Sequence, residues 1–289
     1  MQARLAAAAL AALSLAAPLR AQDPAQILSG ALEQLARNHG GARDYTLVVS
    51  QGEHRGEVFV HREGGEWEVV TQEGSIRGQL LGAAVVWPML SNPGEMEIQD
   101  INAHALRYLG TDTAGGRRAH VVSGIFGEEP PEEQPDTSLV YVDVETRQIL
   151  RMHFAGSAPP GEAMAPGAPE KMSLTMRMGD YRETDGVVVP RRLHLTLRMD
   201  MASADPEELA AMRKEMEELR EMQEMSSPEM AEFVEMIELF GQLLMTGELD
   251  LPVTVVEVRV NTGPPAWVAE QLAEDAEDAL DEDCEDCDP

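Results

Sequence analysis

The histidines are the first residues to consider for catalysis or metal binding, and they are scattered along the chain. They are His39, His54, His61, His104, His120, His153 and His194. The sequence contains no H-E-x-x-H zinc motif, no G-x-S-x-G nucleophile motif and no glycine-rich phosphate loop. We therefore predict that the protein is not an enzyme and has no cofactor.

The two cysteines, Cys284 and Cys287, form a C-x-x-C motif near the end of the chain. Two thiolates are too few for a closed zinc site, which takes four ligands. No βαβ pattern surrounds them, so a thioredoxin-like redox motif is not favoured. In an exported protein, two close cysteines are expected to form a disulfide.

Methionine is unusually common, with 17 residues. Met212 and Met216, and also Met222 and Met225, have helical spacing, and thioethers are soft ligands that suit Cu(I). No histidine or cysteine lies in the same segment, so we predict no metal site there. Methionines at helical spacing usually pack in a core. A copper chaperone remains a weaker alternative.

The first 21 residues have the features of a secretory signal peptide. Arg4 precedes an apolar run over residues 5–17, and Ala21 is the expected last residue before cleavage. This run is too short to cross a bilayer, which takes about 20 residues. No later segment is long and apolar enough, so we expect a soluble periplasmic or otherwise exported protein without a transmembrane segment.

The net charge of −30 argues against a nucleic-acid partner, because phosphates require a basic surface. Acidic residues concentrate in two blocks. Residues 270–289 carry eleven acidic and no basic residues, so residues 269–289 are expected to be a disordered tail. The other block lies within residues 204–247.

Residues 22–268 are expected to form one domain. A helix is predicted over residues 24–40, followed by a meander of three strands and then about five strands in hairpins. Residues 205–246 predict an inserted helical hairpin, with Pro206 and Pro228 each in a first helical turn. One more strand follows. The pattern predicts an α+β fold, in which a curved antiparallel sheet forms a half-open barrel closed by helices.

Alternation along the strands divides each of them into an apolar and a polar face. In residues 178–200, Leu193, Leu195, Leu197 and Met199 alternate with basic and polar side chains. Arg191, Arg192 and Arg198 are expected to be solvated, or to pair with the acidic segments or with a partner. The apolar residues are predicted to line a hydrophobic groove. The groove candidates are Val58, Val60, Trp67, Val69, Trp87, Met89, Leu150, Met152, Phe154, Leu174, Met176, Leu193, Leu195, Leu197, Val256 and Val258.

The hairpin at residues 205–246 is expected to cover this groove. Its more apolar second helix supplies four candidates for a lid, namely Met230, Phe233, Ile237 and Phe240. Packing as fixed core cover is favoured over movement as a lid.

The order of elements resembles the LolA/LolB-type family of outer-membrane lipoprotein-sorting proteins. Three stretches carry the resemblance: "ALRYLGTDTAGGRRAHVVSG", "VYVDVETRQILRMHF", and "GDYRETDGVVVPRRLHL" together with "VVEVRVNTGPP". The hairpin at residues 205–246 departs from the family pattern. The resemblance implies a periplasmic carrier of an acyl chain or a lipoprotein, with a membrane-bound donor or acceptor protein. The alternative on the same scaffold is a sensor or protein-interaction module.

Overall fold

The structure is a computed structural model that describes residues 23–52, 54–63, 66–72, 106–124, 137–157, 171–200, 210–211, 214, 239, 241–243 and 246–271. The signal-peptide prediction, Trp87, Met89, the four lid candidates, the methionine pairs and both cysteines lie outside these residues. So does most of the predicted hairpin. Its few described residues, such as Ala210 and Leu243, are helical.

Among the described residues, one helix precedes the strands. Helix α1 spans Pro24–Asn38; the Asp23 side chain caps its start, and Pro24 occupies the first turn. The strands are β1 Asp44–Gln51, β2 His54–Glu63, β3 Glu66–Thr71, β4 Arg107–Ala114, β5 Arg117–Gly124, β6 Thr137–Asp143, β7 Ile149–Ser157, β8 Lys171–Thr184, β9 Val187–Met199 and β10 Glu248–Val260. A short helical segment follows at residues 266–271.

All ten strands form one antiparallel sheet in the order β3-β2-β1-β10-β9-β8-β7-β6-β5-β4. The sheet is open, since β3 and β4 end it and are not paired with each other among the described residues. The predicted curved antiparallel sheet with few helices is thereby confirmed. Strand β10 lies near the middle, because its first half pairs with β9 and its second half with β1.

Helix α1 defines the inner face of the sheet. Leu28 and Ala31 pack on Val122, Val140 and Val142 there. Each fully buried leucine or valine contributes roughly 1.5–3 kcal/mol to stability. The opposite, outer face is covered near β2 by the C-terminal segment, where Trp267 Nε1 donates to Glu57 Oε2 at 2.9 Å.

Two bulges shift the alternation that the sequence predicted. In β7, Arg151 pairs with Tyr141 but Ile149 pairs with Val142, so Leu150 is the extra residue. The prediction that Leu150 shares a face with Met152 is wrong. Leu150 instead packs with Val121 and Tyr141 on the outer face, because a bulged residue puts the rest of the strand out of phase.

The second shift is in β10. Val255 and Glu257 pair with the neighbouring residues Val49 and Val48, which leaves Val256 as the extra residue. Val256 is 45% exposed, so the prediction that it faces inward is wrong. Val253 and Val255 take the inner positions before the bulge, and Val258 takes one after it.

Candidate ligand-binding face

The inner face of β7 to β10 carries apolar side chains directly opposite one another. Adjacent strands lie about 4.8 Å apart, so such a row is a continuous apolar surface. One row contains Phe154, Leu174, Leu197 and Leu249, and the next contains Met152, Met176, Leu195 and Leu251. A third, shorter row pairs Met172 with Met199.

Burial along this face changes from one end to the other. Near the β8–β9 turn, Met178, Leu193 and Val253 are all buried in the largest core cluster. Toward the end of β9, seven apolar side chains are only half-buried. This set, called the apolar patch below, is Met152, Phe154, Met172, Leu174, Leu195, Leu197 and Met199.

One edge of the apolar patch is covered by the residues that precede β10. Leu239 and Leu243 are buried against Leu249 and Leu251, and Leu195, Leu197 and Met199 pack on the same cluster. The end of the predicted hairpin is therefore packed on the inner face.

Several predicted groove residues are interior residues of the packed core. Val58, Val60 and Met176 are each at most 2% exposed, and Val258 is 8% exposed. Trp67 and Val69 pack partly buried against the same cluster. A close-packed interior has few voids larger than water, so these side chains support the wall rather than offer free surface.

Sequence reasoning missed part of the inner wall. Leu249 and Leu251 face inward although they were not among the groove candidates, and Met172 extends the wall at the other side. Alternation in "ELDLPVTVV" would have identified both leucines. Pro252 interrupts this alternating run, which makes its pattern harder to recognise. In the structure, Pro252 lies exposed opposite His194.

A polar cluster lies where α1 ends, beside the core. His39 and Tyr45 are buried, and the Tyr45 hydroxyl is 3.0 Å from His39 Nδ1. The His39 ring stacks on Trp67 with centroids 4.5 Å apart. Burial raises the pKa of Tyr45, so its hydroxyl remains protonated and serves as a hydrogen-bonding group.

The basic residues of β9 are largely neutralised by carboxylates on neighbouring strands. Arg198 makes two hydrogen bonds to Glu248, at 3.0 and 3.2 Å. His194 Nε2 lies 2.6 Å from Asp250 Oδ1, and Arg192 lies 3.8 Å from Asp180. The predicted solvated face is thus exposed, with the Arg192 and Arg198 side chains 76% and 62% accessible, and it is also ion-paired within the sheet.

The acid strength of Asp250 reflects these contacts. Burial alone would raise the pKa of this carboxyl, but hydrogen bonds from His194 and Thr196 outweigh it, and the pKa lies below its usual range. Arg191 is different from its neighbours. Its guanidinium donates to Thr184 Oγ1 at 2.8 Å and to the Val255 carbonyl at 3.4 Å, where β9 and β10 part.

Two features, a cluster of possible metal ligands and a membrane-spanning helix, are absent from the described residues. Within them, no three His, Cys, Asp or Glu side chains come together as a metal site. In the same part of the chain, no helix combines the length and hydropathy needed to cross a bilayer.

Comparison with known proteins gives similarities of structure alone. No protein-family model matches the sequence, and no curated protein matches it. Among solved structures, the chain is similar to an outer membrane lipoprotein-sorting protein domain from Vibrio parahaemolyticus, with 9% identity and a TM-score of 0.41, over 83% of this chain and 94% of that one.

Two further structures show similar coverage. A DUF1329 family protein from Desulfovibrio piger has 9% identity and a TM-score of 0.38, over 84% of this chain and 96% of that one. A LolA superfamily protein from Nitrosomonas europaea has 10% identity and a TM-score of 0.33, over 81% and 93% of the two chains. The family that the sequence resembles thus reappears among the solved structures similar to this chain.

Proposed function

We propose that this protein binds and carries a hydrophobic molecule, an acyl chain or a lipidated protein, on the apolar patch. The observation that supports this function is the half-buried state of seven apolar side chains on the inner face. Apolar surface of this extent in a concave wall is typical of a ligand site. No catalytic role is proposed for the histidines.

The energetics suit reversible carriage. Each methylene that leaves water for the patch contributes about 0.8 kcal/mol to binding. Three of the seven side chains are methionines, whose flexible thioethers adapt to chains of different shape. A protein that receives and then releases cargo needs such adaptable binding. We propose that it works in the periplasm or another exported compartment, between a membrane-bound donor and acceptor.

The function is tested with a fluorescent fatty-acyl probe and two variants on neighbouring residues. Leu197→Gln places an amide within the apolar patch and should weaken binding of the probe about tenfold or more. Arg198→Gln changes the next residue, which points to the outer face, and should leave the affinity unchanged. Equal affinity in both variants, or no binding by the wild-type protein, would contradict the proposal.

Mass spectrometry of organic extracts from the purified protein tests the cargo directly. Co-purified lipid or lipopeptide is the expected result. An extract without lipid, from a protein that fails to bind the acyl probe, would instead favour the sensor or protein-interaction role on the same scaffold.

A further inference from the structure

A cleft beside the first turn of α1 has features that the carrier function does not use. It has a volume of about 250 Å³ and is lined by Asp23, Gln26, Ile27, His120, Val142, Asp143, Val144 and Arg147. Its volume is slightly smaller than that of sites for drug-sized ligands. The buried cluster of Leu28, Val122 and Val140 lies beneath α1, and none of the residues that line the cleft belongs to the apolar patch.

Arg147 stands between this cleft and a second one. It lines both of them, and the second lies along α1 from Ala25 to Glu33. Among the described residues, the Arg147 guanidinium has no hydrogen bond and no ion pair, although Asp23 and Glu33 line the same clefts. A cation is thus presented at the cleft without a carboxylate that neutralises it.

Two locally unfavourable features, a positive φ at Arg147 and a glycine within α1, accompany the position of this guanidinium. Arg147 has a φ of 60°, a conformation that residues other than glycine rarely adopt. Gly30 occupies the interior of α1, where glycine is a poor helix former. A Cβ at Gly30 would lie 3.2 Å from Arg147 Nη1 and 3.3 Å from its Cδ, so the absence of a side chain at Gly30 leaves room for the arginine to lie against the helix.

The turn that carries Arg147 is fixed from both sides. The buried Asp143 carboxylate accepts from the backbone N–H groups of Glu145 and Thr146, at 2.9 and 2.7 Å, and from Arg117 Nε at 2.8 Å. On the other side, Gln148 is bonded to Asn38 of α1. Asp143 is therefore fully engaged in holding the turn, and the backbone of Arg147, whose side chain is exposed, is held at a defined position.

We propose that this cleft binds a small zwitterion whose single anionic group, a carboxylate or a phosphate, pairs with Arg147. A guanidinium matches either group through two parallel hydrogen bonds. Asp23, which lines the same cleft, suits a cationic amine. Ile27 and Val142 supply apolar surface for the carbon atoms between the two charges.

Two substitutions should weaken zwitterion binding without lowering the Tm. Arg147→Gly relieves the left-handed conformation and Gly30→Ala restores a good helix former, so neither should lower the Tm, and each should raise it by about 2 °C. Both should weaken zwitterion binding at least tenfold, the first by removing the guanidinium and the second by displacing it. Asp185→Gly, at another residue with a positive φ of 49°, is the matched control that should leave binding unchanged.

Calorimetric titration of the full mature chain with O-phosphoethanolamine and with β-alanine measures this binding, and inorganic phosphate serves as the anion without an amine. Saturable binding of either zwitterion, lost in both variants, is expected, and the two probes separate the phosphate from the carboxylate. No binding of either by the wild type, or unchanged affinity in Arg147→Gly, would overturn the proposal. So would a Tm lowered by several degrees in Arg147→Gly, which would make the arginine a packing residue. Acyl-probe binding should be unchanged in every variant.

Discussion

Asn38 and Gln148 form a reciprocal amide pair between the end of α1 and the β6–β7 turn. Asn38 Nδ2 donates to Gln148 Oε1 at 2.8 Å, and Gln148 Nε2 donates to Asn38 Oδ1 at 3.0 Å. Both side chains are buried, and Gln34 donates a further bond to Asn38 Oδ1. The pair fastens the helix to the sheet with its polar atoms satisfied by each other.

Removing both amides of this pair should cost less than the sum of the costs of removing each one alone. Asn38→Leu leaves the buried Gln148 amide without a hydrogen bond, and Gln148→Leu leaves Asn38 Nδ2 without one although Gln34 still donates to Asn38 Oδ1, at about 1–3 kcal/mol each. The double variant should lose clearly less than the sum of the two, because no orphaned amide remains. Urea unfolding of the four proteins measures this coupling. Strictly additive losses would show that the amides act independently.

Tyr181 offers a second test of interior hydrogen bonding. Its hydroxyl donates to the Ile149 carbonyl at 2.6 Å, directly before the bulged residue Leu150, and burial raises its pKa. Tyr181→Phe should reduce the free energy of unfolding by about 1–2 kcal/mol. Tyr108→Phe removes a longer contact of 3.3 Å to His120 and should cost less than about 0.5 kcal/mol. A reversed order would contradict this account.

The stability of the fold should fall as the pH drops below neutrality, in part through His153. Burial and then the nearby charges of Arg151 and Arg198 lower the pKa of this imidazole. Below the unfolded value, near 6.5, the unfolded chain takes up a proton that the folded imidazole refuses. Stability is therefore full above that value, and it declines until the pH reaches the lower folded pKa.

His153→Gln should flatten this decline, since glutamine keeps a hydrogen-bonding group near Thr175 without a titrating ring. The Tm measured from about pH 7.5 to pH 5 is the readout. His54→Gln, at an exposed residue of β2, serves as the control. An identical pH profile in His153→Gln and the wild type would exclude the proposed contribution.

A comparison of Gly40 with Gly52 distinguishes the cost of a positive φ from the cost of a steric overlap. Their φ angles are nearly the same, 57° and 59°. A Cβ at Gly40 would overlap the Gly186 carbonyl of the β8–β9 turn, whereas nothing lies within 4 Å of one at Gly52. Gly52→Ala should cost about 1 kcal/mol, and Gly40→Ala about 3 kcal/mol or more. Thermal unfolding of the two variants checks the difference, which would vanish if the turn moved freely.

The strands and their facing were readable where alternation runs without interruption. Leu193, Leu195 and Leu197 alternate over one regular strand, and all three face inward. Alternation failed at Leu150 and Val256 because a bulge adds one residue and reverses the facing beyond it. The energy of a bulge depends on the partner strand, so no pattern within β7 or β10 announces it.

The sites were harder to derive than the strands. Val58 is buried in the core and Leu197 is only half-buried. In the sequence the two cannot be distinguished, because each is an apolar residue in an alternating strand pattern. The cleft at Arg147 gave no signal at all, because Gly30 and Arg147 are far apart in the chain and unremarkable singly. The cleft depends on a contact between α1 and the β6–β7 turn, and only the folded chain makes that contact.

The central position of β10 has a consequence for the order of folding. Tyr45 pairs with Val260, so β1 to β3 cannot join the other strands through this pairing until β10 has been synthesised. Pairings this distant in sequence close slowly. Until then, the strand edges of β1 and β9 are open to other chains. We expect the nascent protein to depend on chaperones to a degree that the finished one does not.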